Sequence, residues 1–270
     1  MKTGDAPLGR QIGFAIVVGV LGAATAIAIR GVLQAGLALL YGAHDIVSGM
    51  TELPGWLRVL GPCAGGVVAG TLVVLLLRRG SPGVADVMEA VALGRGRPRL
   101  GGAAAQAAGS VAASLGGGSI GREGPLIQLG AGVGHAVAIR ATSSNRARRA
   151  LVAAGTAAGF AAAYNTPIAA VLFVLEVVVG TMTVEVLIPV LVATAVGTAV
   201  TRAVLGGGPI YGARAFALAS ASEFVAFGLI GVLGALCGVW FMKLLALGER
   251  GFHRLRLPRP VRAGLHRLPR

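Results

Sequence analysis

The sequence predicts an all-α, polytopic membrane protein in which some helices are broken and re-entrant. Three observations carry that fold class. Of 270 residues, 55% are hydrophobic and 13% charged, with 44 glycines and mean hydropathy +0.80, which is too little polar surface for a water-solvated globule. The charges gather in short stretches between apolar runs. Two of those runs are interrupted from within, at Gly116-Gly117-Gly118-Ser119-Ile120-Gly121 and at Tyr164-Asn165-Thr166-Pro167.

Residues 12–29 form the first apolar helix, retained because it outruns the apolar core of a cleavable leader. Residues 59–77, 187–200 and 224–242 follow, each long enough, or nearly so, to cross about 30 Å of hydrocarbon at about 1.5 Å per residue. No separate soluble domain fits between them. The net charge of +14 reports topology rather than a nucleic-acid surface, because the arginines do not share one face with interleaved aromatics. Five basic stretches mark the cytoplasmic side: Lys2 and Arg10; Arg78 and Arg79; Arg95, Arg97 and Arg99; Arg140, Arg146, Arg148 and Arg149; and the tail from Arg250 to Arg270. Both termini are then cytoplasmic, on a multi-pass protein of the cell membrane. The loops near Asp45 and Glu52, and over 206–211, face outward; Arg30 and Arg202 fit less well, each near an outer helix end where a long side chain can snorkel.

Between Arg79 and Arg95, and between Arg99 and Arg140, the chain starts and finishes on one side. Such segments enter and return. Residues 84–93 make only half a span, while 101–115 rise as a helix, the glycine run breaks it, and Pro125 suits the first turn of a descending helix from Leu126. A third return is built from 151–162 and 168–179 on either side of the Tyr164-Pro167 break.

Broken helices survive in lipid only where freed backbone groups are buried in protein or line a cavity. Their amino ends present unpaired N–H groups and a positive dipole, which suits an anion; Gly83 before Val84 and Gly124 before Pro125 would supply such amides. Within Gly121-Arg122-Glu123-Gly124-Pro125, Glu123 is the one carboxylate of an almost chargeless apolar stretch over 100–139. An ionisable group at membrane depth costs about 2.5–3.5 kcal/mol on insertion scales, so it marks a functional site; a salt bridge to an arginine is the structural alternative. Cys63 and Cys237 read as ordinary buried thiols, and His135 as a packed neutral imidazole. No metal-ligand spacing, phosphate loop or second carboxylate accompanies Glu123, so no enzyme, metal or organic cofactor is expected.

An internal repeat completes the pattern. Gly19-Val20-Leu21-Gly22-Ala23 recurs as Gly231-Val232-Leu233-Gly234-Ala235, on helices that the arginines send in opposite directions, as in inverted-topology repeats.

Three strings together resemble the CLC chloride channels and chloride/proton antiporters: GSPGVADVMEAV at 80–91, GREGP at 121–125 and AAAYNTPIAAVLFVLEV at 161–177. The resemblance covers nearly the whole chain. It implies the first inverted repeat of a CLC-type fold over 1–203, an outer loop over 204–221, the first helix of a truncated second repeat over 222–250 and a basic cytoplasmic tail over 251–270. It implies that Glu123 is the gating glutamate, which competes with the permeating anion, and that Pro82, Gly83, Val84, Gly121, Arg122 and Gly124 line the anion route. It also implies a homodimer through residues 166–201, in contact with lipid and without nucleic acid.

Departures from the family pattern bear on mechanism. Val177 stands where the coupled antiporters carry an inner proton-relay glutamate, which favours a channel or uncoupled transporter; Glu176 reads as a structural carboxylate at the helix end. Pro82 replaces an anion-coordinating serine, as in nitrate-preferring relatives, and removes a hydroxyl and an N–H; Ala85 and Asp86 replace a Pro-Glu pair. The family's third anion motif and pore tyrosine, which belong to the second half, are absent, and Tyr164 is not that tyrosine. Three readings stay open on these residues: anion passage without coupling, proton-coupled chloride exchange, and a non-transporting fragment that needs a separate chain for its second half.

Overall fold

The computed structural model describes residues 8–43, 49, 53–76, 87–89, 91, 98, 100–118, 123–142, 144–207, 220 and 222–254. Eight helical stretches are named below: α1 (Leu8–Tyr41), α2 (Gly55–Leu76), α3 (Leu100–Leu115), α4 (Glu123–Ala141), α5 (Asn145–Tyr164), α6 (Pro167–Phe173, continued by a π-helical turn Val174–Val179), α7 (Val184–Leu205) and α8 (Glu223–Arg254). Residues 87–89 and 91 are also helical, within the expected half-span over 84–93.

Chain contacts divide the protein into two units, Met1–Ile210 and Tyr211–Arg270. The first is organised around α5. From Ala150 to Ala162, α5 is buried on nearly every side, with α4, α7 and α1 packed on it. A helix apolar all round belongs in such a central position. Its side chains there are chiefly alanine, so neighbouring backbones come close, the usual means of joining helices where lipid removes the hydrophobic drive between them. Thr156, fully buried, donates its hydroxyl to Val152 O at 2.8 Å, and Thr194 on α7 does the same to Val190 O at 2.6 Å, so neither polar atom is stranded.

The α4–α5 crossing is the closest. A β-carbon at Gly159 would lie 2.6 Å from Leu126 O, and β-carbons at Gly130, Gly134 and Gly155 would strike the facing backbone harder still. Glycine is required there because backbone meets backbone. On the other side of the core, Gly19 of α1 lies against Ala193 of α7 and Gly22 against Ala158 of α5. Their repeat partners Gly231 and Gly234 on α8, in the second unit, have open space around them.

Several expected bounds move. The first helix extends beyond 12–29 to Tyr41, so Arg30 lies eleven residues before its end rather than at it (41 − 30 = 11). The Ala- and Leu-rich continuation favours helix strongly enough to carry it on. The helices expected over 187–200 and 224–242 are likewise longer, as α7 and α8. Both cysteines are free and exposed, against the expectation of buried thiols: Cys63 is on an outward face of α2, and Cys237 on α8, whose apolar side chains are exposed along its length.

Candidate functional site

The break between α3 and α4 is built by three glycines with separate tasks. Gly116 abuts α2, where its β-carbon would lie 2.7 Å from Gly61 O and from Gly65 Cα. Gly117 takes φ +84°, open to glycine at little cost, and the N–H groups of Gly117 and Gly118 donate to Ser114 O at 3.0 Å and Ala113 O at 2.9 Å. That pair of bonds is a Schellman ending, which closes the carbonyl end of α3 without further help. Tyr41, at the far end of α1, adds its hydroxyl to Leu115 O at 2.6 Å.

After this break α4 starts at Glu123, with Gly124 and Pro125 in its first turn. Glu123 is thus at the amino end of a 19-residue helix, where the first N–H groups lack intrahelical partners and the dipole is positive. The first turn is anchored from three sides: Leu126 packs with Ala23 and Ala26 of α1 and Ala162 of α5, with Ala163 and Val200 alongside. Pro82, Gly83, Val84, Gly121 and Arg122 lie outside the described residues, so this structure brings together only Glu123 and Gly124 of the expected anion route.

The break after α5 is equally definite. Asn165 caps the helix with φ 56° and ψ 31°, the one non-glycine positive φ among the described residues, and its N–H donates to Ala161 O at 2.8 Å. Asparagine tolerates this conformation better than most residues. Pro167 then opens α6 where no N–H is needed. Phe160 stacks on Phe173 across the break, with ring centroids 4.9 Å apart and planes at 12°.

Val177, the position of the absent relay carboxylate, is exposed in the π-helical turn beside the exposed Glu176. His135 is partly buried on α4. Two polar side chains that sequence reading passed over as topology or punctuation organise these elements. Arg149, in the first turn of α5, donates from Nε to Val91 O and so ties the short 87–91 helix to the core helix. Asn165 accepts from Arg202 Nε at 2.6 Å. An arginine on the side of the membrane that other arginines avoid was the available signal for the second; nothing local signals the first, whose partners are 58 residues apart.

The family described as voltage gated chloride channel matches residues 65–267. The chain belongs to that family. It is similar to a ClcB-like chloride channel protein of Ralstonia nicotianae, at 35% identity over 94% of this chain and 61% of the relative. It is also similar to the voltage-gated ClC-type chloride channel ClcB of Yersinia pseudotuberculosis, at 29% identity over 84% of this chain and 56% of the relative. Among solved structures, a slow cyanobacterial Cl−/H+ antiporter superposes with TM-score 0.76 at 21% identity, covering 97% of this chain and 62% of that one. A eukaryotic CLC transporter gives TM-score 0.70 at 20% identity, covering 96% and 48%. These likenesses establish the fold as that of part of a CLC protein. The chain spans about 60% of the length of the curated relatives it matches best here. Four of its helices, within α1, α2, α7 and α8, are long and apolar enough to cross a membrane, and with the family this makes it a multi-pass membrane protein.

Proposed function

We propose that this chain forms the first part of a CLC-type pathway for small inorganic anions, chloride or nitrate, with Glu123 as its gate and no obligatory proton coupling. The observation that carries the reading is the helix break that ends at Glu123: a carboxylate on the first residue of α4 occupies the kind of place an anion would take. A charged gate there competes with the anion, and a neutral or displaced one admits it. Val177 supports the uncoupled form, since an isopropyl group cannot pass a proton inward. The remainder of the pathway comes from sequence equivalent to the rest of the relatives, in continuation of this chain or on a second one. In this reading the protein works as a dimer with both termini cytoplasmic.

Chloride and nitrate efflux from liposomes that hold the purified protein, together with the complementary half where that is a separate chain, tests it. Wild-type flux should vary with pH and Glu123→Gln flux should not. Flux through both that responds alike to pH would exclude Glu123 as the gate, and obligatory proton movement with chloride would exclude the uncoupled form.

A further inference from the structure

Arg202 stands in the last turn of α7, is exposed, and is held at one nitrogen only, by Asn165 Oδ1. Asn165 is fixed in turn by its left-handed cap conformation and by its Nδ2, which donates to Gly207 O at 3.3 Å. Among the described residues no carboxylate pairs with Arg202. The chemistry of the clamp matters here. An aspartate in place of Asn165 would hold the guanidinium as well but cancel its charge, whereas a neutral amide orients it and leaves the charge whole.

The clamp sits beside the start of α4. Leu126 packs with Ala162 and Ala163 of α5 and with Val200 of α7, and Gly197 of α7 lies against Ala158 of α5. Thus α5 and α7 run parallel, and α4 opposes α5, since Gly159 meets Leu126 while Gly134 meets Leu151. Moving toward the same end, Asn165 lies three residues beyond Ala162, Arg202 two beyond Val200, and Glu123 three before Leu126. At about 1.5 Å per residue these three positions fall within about one helical turn of a common level on packed helices.

We propose that Arg202, oriented by Asn165, is an anion-collecting residue that raises the local concentration of chloride-class anions at the end of the bundle where α4 begins. Its use in transport rests on the proposed function; the attraction itself does not. A fixed unit charge about one turn from a partly solvated anion site changes occupancy by roughly twofold to fivefold at low salt, and far less when screened.

The test is chloride uptake by the full chain in liposomes at about 10 mM ionic strength, where the screening length is about 30 Å. Arg202→Gln and Asn165→Asp should both raise the half-saturating chloride concentration about twofold to fivefold with the maximal rate kept, Arg202→Lys should lie close to wild type, and added inert salt should erase the differences. A clamp that is only structural predicts otherwise, because Asn165→Asp preserves the contact. Wild-type half-saturation in Asn165→Asp overturns the proposal. Where no flux occurs at all, calorimetric titration of the detergent-solubilised proteins with bromide reads the same quantity. Weaker binding in both variants then supports an anion-collecting arginine and sinks the transport reading alone, while equal binding, or none in any of the proteins, overturns the collecting role.

Discussion

Gly155→Val should loosen the α4–α5 crossing and lower stability measurably. A β-carbon at residue 155 meets Gly130 O directly and lies 2.9 Å from Gly134 N and 3.0 Å from Gly134 Cα. All three obstacles are backbone, so no rotamer relieves them, and the helices must separate by several tenths of an ångström or more. Overpacking of this kind costs about 1–3 kcal/mol, and valine recovers only a few tenths through its better helix propensity than glycine. For a chain of this size, about 2–4 °C per kcal/mol, the melting temperature in detergent should fall by roughly 2–12 °C. Gly66→Ala on α2 is the control, because nothing lies within 4 Å of its β-carbon. There the propensity gain of up to about 1 kcal/mol should leave stability unchanged or higher. The reasoning fails if Gly155→Val melts with wild type, or if Gly66→Ala falls as far as Gly155→Val does.

Three further outcomes follow from individual polar contacts. Tyr41→Phe removes the hydroxyl that caps Leu115 O and should cost about 1 kcal/mol, read as a lower melting temperature with helix content kept. Gln128 is buried on α4 with Oε1 unpartnered, so Gln128→Leu should raise the melting temperature, by the equivalent of about 1 kcal/mol or more. Arg149→Met keeps much of the aliphatic stem but leaves Val91 O without its charged donor; a loss of about 1.5–3 kcal/mol is expected, with faster hydrogen exchange in residues 87–91 than in α7.

The helix breaks were legible because glycine, asparagine and proline advertise backbone conformations that other residues resist. The run from Gly116 marks the end of α3, Pro167 the start of α6, and Pro125 the first turn of α4. The lengths of α1, α7 and α8 were less legible, since apolar alanine and leucine continue a helix with equal ease inside and outside the hydrocarbon. Burial of Cys63 and Cys237 could not be read from their apolar neighbours, because in a membrane chain an apolar face signals lipid or protein alike. The contacts of Arg149 with Val91 and of Arg202 with Asn165 bridge 58 and 37 residues, a separation at which local pattern carries no information. Glu123 stood out for a different reason: a lone carboxylate in an apolar stretch is costly wherever the chain folds.

The wide turn from Val174 to Val179 has a consequence for how this lineage can change. Gly180 N–H donates to Leu175 O at 3.0 Å, five residues back, so the turn holds one residue more than an α-helix would. Burial follows in pairs: Val174 and Leu175 inward, Glu176 and Val177 outward, Val178 and Val179 inward. Loss of a single codon within this loop of helix would restore ordinary winding and rotate everything after it by about 100°. The bulge therefore acts as a phase adjuster, through which a one-residue insertion or deletion, with no substitution at all, exchanges the side chain presented at the end of the third return.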